Sequence, residues 1–143
     1  MGDLGMDLYV ISGVTGMTGN ELARKLLGSG GKVLGFDNFF ASSLQTVEDL
    51  LEEERFGFYE YDLNDAKQMQ LLEHEIRAQK GSYEKLVYIN CAAVVHTEHF
   101  YHVNRTFETN VRGMKSFLEQ AVRLGADNYI NSSTSELYSM NAW

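Results

Sequence analysis

Short, continuously apolar segments alternate along this chain with longer amphipathic ones. The apolar segments are rich in β-branched and aromatic residues, and they predict strands at residues 6–12, 32–37, 56–61, 85–91 and 127–132. Between them, apolar residues recur at helical spacing and predict helices at residues 18–27, 42–54, 65–79 and 100–124. The run Gly28-Ser29-Gly30-Gly31 and, later, Gly125 predict helix ends.

Apolar side chains mark the buried side of each predicted helix. In segment 42–54, Ser42 or Ser43 is the expected cap, and one face carries Leu44, Val47, Leu50 and Leu51. In segment 65–79 we expect Met69, Leu72 and Ile76 to face inward. In segment 100–124 the residues expected to face inward are Phe107, Val111, Met114, Phe117, Leu118, Ala121 and Val122.

The order βαβαβαβαβ with short connections predicts an α/β fold. Parallel strands need crossover connections, which place helices on the faces of the sheet. The strands are apolar without alternation, as expected for a sheet covered on both faces. We therefore predict a doubly wound parallel sheet of about five strands with helices on both faces, formed by residues 1–143 as one domain.

Composition and charge narrow the classes of partner. The chain has 143 residues and a net charge of −8, which argues against broad binding to nucleic acid or anionic membranes. Its apolar runs are too short to cross a bilayer, and its first residues do not resemble a secretory signal. The single cysteine, Cys91, fits a reducing compartment, so we expect a cytoplasmic protein.

A glycine-rich turn follows the first predicted strand and opens the first predicted helix. Gly13, Gly16 and Gly19 form the pattern G-x-x-G-x-x-G. Gly13 permits a tight turn, Gly16 lets a pyrophosphate approach the backbone, and Gly19 lets helix and strand pack closely. The pattern predicts a dinucleotide site, and its other candidate contacts are Thr15, Met17 and Thr18. The alternative is a flexible glycine loop.

Asp37 ends the second predicted strand. An acid at this place accepts hydrogen bonds from the adenosine ribose hydroxyls and repels a 2′-phosphate, which favours NAD over NADP. We include its neighbour Asn38 among the cofactor-binding candidates. The alternative is that Asp37 only begins the turn that it forms with Asn38.

Five segments together resemble the extended short-chain dehydrogenase/reductase family, which contains nucleotide-sugar epimerases and dehydratases. They are residues 13–19, 35–39, 61–63 and 90–93, and residues 110–113 leading to 132–138. The resemblance implies a Rossmann fold, NAD as the cofactor and a nucleotide sugar as the substrate. It also implies hydride transfer from a sugar hydroxyl to NAD in the complete enzyme.

The resemblance assigns roles to residues of the cofactor cleft. Asp62 would hydrogen-bond the adenine amino group, and Leu63 would pack on the ring. Ala92 and Ala93 would line the cleft, where small side chains leave room. Asn110 would lie on the long helix beside the active site.

Two catalytic candidates lie near the carboxyl end of the chain. Thr134 matches the Ser/Thr of the family, whose hydroxyl can hydrogen-bond the sugar hydroxyl being oxidised. Glu136 matches an acid that removes a proton next to the new ketone in sugar 4,6-dehydratases. Related decarboxylases and epimerases carry a similar segment, and Glu136 could equally be a solvated or helix-capping acid.

The Tyr-x-x-x-Lys pair of the family is missing from this sequence, since no tyrosine is followed by lysine four residues later. We therefore expect a chain that lacks the C-terminal substrate-binding portion and is inactive alone. The alternatives are a non-catalytic module that binds or senses NAD, and a scaffold with an empty cleft.

Three further features carry weaker predictions. His96, His99 and His102 recur every third residue, but a polar rim near the cleft explains them better than a metal site. Cys91 ends a buried strand and is expected to be inert. The last strand, 128–131, would leave an uncovered sheet edge, through which we expect self-association.

Overall fold

A computed structural model describes residues 5–134 of the chain, and the structural statements below concern those residues. One five-stranded parallel sheet has the order β3-β2-β1-β4-β5. Its strands are β1 (Leu8–Ser12), β2 (Lys32–Asp37), β3 (Phe56–Glu60), β4 (Leu86–Asn90) and β5 (Asn128–Asn131). Each strand lies at a predicted position, so the predicted doubly wound α/β fold is confirmed.

Helices cover both faces of this sheet. The α-helices are α1 (Met17–Gly28), α2 (Ala66–Gln79), α3 (Val103–Phe107) and α4 (Met114–Leu124). The 3₁₀ helices are Leu44–Leu50, Lys80–Ser82 and Thr97–Tyr101, and Glu108–Gly113 forms a π-helix. Helix α1 and the 3₁₀ helix Leu44–Leu50 pack on one face, and α2 and α4 pack on the other.

The core consists of two apolar clusters separated by the sheet. Under α2 and α4, the fully buried ring of Phe117 lies 4.7 Å from the ring of Tyr88 and 5.5 Å from that of Phe36. Under α1, the buried side chains of Ala23 and Leu27 pack with those of Val33 and Val47. The apolar residues on both sides of the strands therefore have partners, which accounts for the continuously apolar strand pattern.

Local signals set two of the helix ends. The carboxylate of Asp65 caps α2 by accepting a hydrogen bond of 3.0 Å from the N–H of Gln68. Gly125 ends α4 in the left-handed conformation, with φ 67°, which a residue with a Cβ adopts at a cost. Met69, Leu72 and Ile76 are buried along α2, as predicted.

The predicted helix at residues 42–54 is instead a short 3₁₀ helix. Its N-cap is Ser43, whose side chain makes no capping bond, while the hydroxyl of Ser42 lies 2.6 Å from that of Thr15. Val47 and Leu50 are buried, but Leu44 and Leu51 are exposed, so the predicted four-residue face is wrong. The hydroxyl of Thr46 donates both to the carbonyl of Ser43 and to that of Thr15, which ties this segment to the glycine turn.

The predicted helix at residues 100–124 is interrupted. A 3₁₀ helix, α3, the π-helix and α4 follow one another across residues 97–124. Phe117 and Ala121 are buried as predicted, and Met114 is half-buried. The prediction of an inward position is wrong for four others, which are exposed: Phe107, Val111, Leu118 and Val122. Helical periodicity identified an apolar stripe, but only part of that stripe lies over the sheet.

Candidate functional site

The carboxyl ends of the strands bring most of the predicted site residues to one edge of the sheet. The chain passes from β1 to β2 on one side and later returns to place β4 on the other side of β1. In open α/β sheets, such a change of direction creates a crevice in which ligands bind. The glycine turn follows β1, Asp37 ends β2, Asp62 follows β3, and Ala92 follows β4.

The glycine turn is packed closely on two sides. Gly13 has φ 69°, and a Cβ there would lie 2.7 Å from the backbone nitrogen of Ala92. At Gly19, a Cβ would lie 2.3 Å from the carbonyl oxygen of Gly13. At Gly16, the nearest atom would be that same oxygen, at 3.3 Å. Backbone contacts therefore require Gly13 and Gly19, whereas a Cβ at Gly16 would meet this one oxygen closely and no other atom within 4 Å, which leaves the rest of its surface open.

The first turn of α1 presents backbone donors beside that open surface. The N–H of Asn20 bonds the carbonyl of Gly16 at 2.9 Å, so the earlier N–H groups of Met17, Thr18 and Gly19 have no carbonyl within the helix. The first turn holds no acidic side chain, and the Met17 side chain is 86% exposed. The helix dipole adds a partial positive charge here, so this end of α1 suits an anion such as a diphosphate.

Thr15 points away from this surface. It is only 1% exposed, and its hydroxyl contacts that of Ser42, while its carbonyl accepts a bond from the hydroxyl of Thr46. Its N–H donates to a carboxylate oxygen of Asp37 at 3.2 Å. The Thr15 side chain therefore anchors the turn to the segment after β2.

Asp37 joins the glycine turn to the loop after β2. One oxygen accepts the Thr15 bond, and the other accepts a bond of 2.9 Å from the N–H of Phe39, whose φ is 58°. The next residue, Asn38, accepts a bond from the N–H of Phe40 through its side-chain oxygen. A carboxylate offers about four acceptor directions. Asp37 therefore retains capacity for ligand hydroxyl groups.

Asp62 is the centre of a second polar cluster. One of its oxygens accepts a bond of 2.8 Å from the N–H of Asn64. Its other oxygen accepts bonds from the amide of Asn38 at 3.0 Å and the guanidinium of Arg105 at 2.8 Å. Burial by itself would raise the pKa of Asp62, but these hydrogen bonds and the charge of Arg105 hold it below its ordinary value.

Sequence reasoning missed Arg105 as part of this cluster. The only signal was an arginine on a helical segment that was expected to lie near the cleft, and Asp62 is 43 residues away along the chain. Leu63, next to Asp62, is buried, and a Cβ at Gly113 would lie 2.9 Å from it. The glycine thus lets the π-helix approach the loop after β3.

Asn110 fixes the segment after β4. Its side-chain oxygen accepts a bond of 2.7 Å from the N–H of Val94, and its amide donates to the carbonyl of Val94 at 3.0 Å. Ala92 is half-buried and Ala93 is exposed, immediately before that clamp. Asn110 therefore positions the backbone that follows Ala92 and Ala93. Both polar atoms of its side chain are engaged in these bonds to Val94.

A polar network joins the ends of β1, β4 and β5; its residues Ser12 and Asn90 are buried, and sequence reasoning missed this network as well. The hydroxyl of Ser12 donates to the side-chain oxygen of Asn90, whose amide donates to Asn131 at 2.8 Å. The carbonyl of Asn90 accepts bonds from both the N–H and the hydroxyl of Ser132. The available signal was a polar residue at the end of three adjacent apolar strands.

Only one of the two catalytic candidates belongs to the described residues. Thr134 is exposed and follows β5 by three residues, and Glu136 lies outside the described residues.

Cys91 is partly buried, and burial raises the pKa of its thiol to about 11, which disfavours the reactive thiolate. Among residues 5–134, no group of three or more His, Cys, Asp or Glu side chains is arranged to hold a metal ion.

The sequence matches the NAD dependent epimerase/dehydratase family over residues 9–142, and the chain therefore belongs to that family. It is 29% identical over 130 residues to UDP-glucuronic acid decarboxylase 1 of Arabidopsis thaliana, covering 90% of this chain and 26% of the relative. UDP-glucuronic acid decarboxylase 1 of Danio rerio is 27% identical over 129 residues, covering 90% and 28%. The chain thus spans about a quarter of the length of these curated relatives.

Solved structures with the same fold include WbmG of Bordetella bronchiseptica in complex with NAD. WbmG has a TM-score of 0.78 and 21% identity, over 99% of this chain and 42% of that one. The UDP-Glc/GlcNAc 4-epimerase of Campylobacter jejuni has a TM-score of 0.76 and 24% identity, over 97% and 40%. Likeness at this level of identity supports the fold.

No helix in the described part of this chain is long and apolar enough to cross a membrane.

Proposed function

We propose that this chain binds NAD in the crevice at the carboxyl ends of β1 and β2. The observation that carries the proposal is the first turn of α1, where Met17, Thr18 and Gly19 offer backbone donors beside the open side of Gly16. A diphosphate fits such a surface without any lysine or arginine. Asp37 adjoins this turn through its bond to the N–H of Thr15.

The adenosine half would follow the loops after β2 and β3. Asp37, together with Asn38, would accept bonds from the ribose hydroxyls, and its charge would disfavour the 2′-phosphate of NADP. Asp62 would accept a bond from the adenine amino group, with Leu63 packed on the ring. Ala92 and Ala93 would leave room along the cleft, and Asn110 would hold the backbone that follows them.

In the complete protein we propose hydride transfer at a hydroxyl of a nucleotide sugar. When bound, the nicotinamide ring of NAD accepts the hydride. Thr134 would hydrogen-bond the sugar hydroxyl, and Glu136 would remove a proton next to the resulting ketone. The reaction could proceed as an epimerisation, an elimination or a decarboxylation.

Residues 1–143 would form the NAD-binding domain, and the sugar-binding portion would lie elsewhere. This proposal is supported by the small share of the relatives' length that the chain spans. The sequence contains no Tyr-x-x-x-Lys pair, so we expect these residues alone to bind NAD without turning over substrate. The same observation favours a second candidate function, a non-catalytic module that binds or senses NAD.

Two further proposals concern self-association and the cellular compartment. Strand β5 is an edge of the sheet and Ile130 is 52% exposed, which supports self-association through this edge. The single cysteine supports a reducing compartment, and we propose the cytoplasm.

Calorimetric titration of the chain with NAD and NADP tests the cofactor proposal. We expect saturable binding of NAD and weaker binding of NADP. Asp37→Ala should weaken NAD binding about ten-fold or more, because bonds to a charged group are lost. Glu52→Ala, which removes an exposed acid from another part of the chain, should leave binding unchanged.

Asp37→Asn separates the charge of Asp37 from its role in the loop. An altered loop would weaken both nucleotides equally, whereas loss of the charge should raise the affinity for NADP relative to NAD. A folded wild-type chain that binds neither nucleotide would overturn the proposed function. An unchanged NAD-to-NADP ratio in Asp37→Asn would overturn the role of Asp37 in selecting the cofactor.

A further inference from the structure

An ion pair lies at the end of the crevice proposed for adenine. The guanidinium of Arg105, on α3, lies 2.8 Å from the carboxylate of Asp62, which follows β3. This contact joins the sheet to residues 96–105, which comprise the 3₁₀ helix Thr97–Tyr101 and the start of α3. We refer to residues 96–105 as the strap.

Aromatic contacts hold the strap against the loop after β2. The guanidinium carbon of Arg105 lies 5.1 Å from the centre of the Phe40 ring, within the range of a cation–π contact. The Phe40 ring in turn meets the edge of the His99 ring, with centres 4.8 Å apart. The strap therefore contacts both loops that carry the proposed adenosine-binding residues.

The hydrogen bonds of Asp62 show that the Arg105 guanidinium and an adenine amino group would both donate to its carboxylate. One carboxylate oxygen already accepts bonds from Asn38 and Arg105, and an oxygen has two acceptor directions. The other oxygen accepts the N–H of Asn64. An adenine amino group can only donate to this carboxylate, as the guanidinium does. The two groups therefore compete for this carboxylate, on which only one acceptor direction, at the oxygen bonded by Asn64, remains free.

We propose that Arg105 latches the strap across Asp62 and that the adenine end of a dinucleotide binds more tightly when this latch opens. The proposal rests on the proposed function, because it takes Asp62 as the adenine acceptor. The Asp62 and Arg105 side chains are 25% and 36% exposed, so water can replace their contact when the latch opens. The latch thus lowers nucleotide affinity without abolishing it.

Titration of Arg105→Ala with AMP and NAD tests the latch. The variant should bind both about three- to five-fold more tightly than the wild-type chain, which is the effect expected for releasing a solvent-accessible ion pair. Nicotinamide mononucleotide, which lacks adenine, should show no such gain. Arg112→Ala removes an arginine paired with Glu108 on the neighbouring π-helix and should change no affinity. Arg105→Lys should restore most of the wild-type affinity.

Equal or weaker AMP binding by Arg105→Ala would overturn the latch while leaving the proposed function intact. If neither the wild-type chain nor the variant bound AMP or NAD, the proposed function would fail and the latch with it. Arg105→Gln is the substitute if Arg105→Ala does not fold. Amide hydrogen exchange of the wild-type chain adds a test that needs no variant. Exchange at residues 103–107 should accelerate on saturation with NAD, and slower exchange would instead indicate a strap that closes over the ligand.

Discussion

In the turn between β1 and α1, the backbone meets other parts of the protein at close range, whereas the outer side of residues 103–122 meets solvent. A Cβ at Gly19 would lie 2.3 Å from a carbonyl oxygen, but Val103 and Val122 are 70% and 71% exposed. Both regions have a clear sequence pattern. In the turn, the atoms that exclude a Cβ at Gly19 belong to the same short stretch, and those that exclude a Cβ at Gly13 belong to the segment after the neighbouring strand β4.

The difference shows which kinds of pattern can be interpreted locally. In the turn, a glycine is required because a particular backbone atom is too close: the carbonyl oxygen of Gly13 for Gly19, and the nitrogen of Ala92 for Gly13. In the helical run, an apolar residue is favourable only if some other element covers it. Phe117 is covered by the sheet and Phe107 is not, although both belong to the same stripe.

The largest expected difference in stability lies between alanine substitutions at two phenylalanines, one buried and one exposed. Phe117→Ala should lower the free energy of unfolding by about 3–5 kcal/mol, because the ring is buried among Phe36, Tyr88 and Tyr129. Phe107→Ala removes the same atoms from a side chain that is 52% exposed, and its cost should be under about 1 kcal/mol. Urea unfolding of both variants measures the difference, and similar costs would show that the outer face of the run is covered in solution.

The glycine turn should show the next largest effect. Gly19→Ala places a Cβ against backbone that has no room for it, so we expect a loss of about 1–3 kcal/mol together with loss of nucleotide binding. Gly28→Ala is the matched control on α1, since a Cβ there meets nothing within 4 Å. It should be neutral or slightly stabilising in the same urea experiment. A tolerated Gly19→Ala would contradict the backbone argument.

A hydrogen bond between two buried side chains under α4 gives a further contrast between buried and exposed residues. The hydroxyl of Tyr88 donates to the side-chain oxygen of Gln120 at 2.8 Å, and both residues are buried. Tyr88→Phe leaves that oxygen without its donor and should cost about 1–3 kcal/mol in thermal or urea unfolding. Tyr101→Phe, at a residue that is 89% exposed, should have no measurable effect.

The smallest expected effect concerns the ion pair that joins Arg105, in the second region, to Asp62 in the loop after β3. Because the pKa of Asp62 is lowered in the folded chain, its contribution to stability is present above the unfolded pKa of about 4. That contribution should disappear as the pH falls through the lower folded value. Arg105→Ala should therefore lose less stability on acidification than the wild-type chain, by about 0.5 kcal/mol. Parallel curves from pH 7 to pH 3 would indicate that the pair does not form in solution.

The sequence predicted some residues of the candidate site and missed others. Gly13, Gly19 and Asp37 were recognised because each follows directly from a strand–turn–helix pattern and its hydrogen bonding. The inward orientation of Thr15 depends on Ser42 and Thr46, which the sequence places on another element. Arg105 was missed because its partner is distant in sequence, and no local rule joins an arginine to a particular aspartate.

The sequence by itself determined the alternation of strands and helices, the parallel sheet and the glycine turn. These features depend on periodicity and on backbone conformation, which neighbouring residues impose on one another. Only the tertiary structure decided that segment 42–54 holds a 3₁₀ helix at Leu44–Leu50 in place of an α-helix, that the long helical run is interrupted and that Arg105 meets Asp62. Each of these depends on contacts between segments far apart in sequence, where packing geometry selects among conformations that local preferences leave close in free energy.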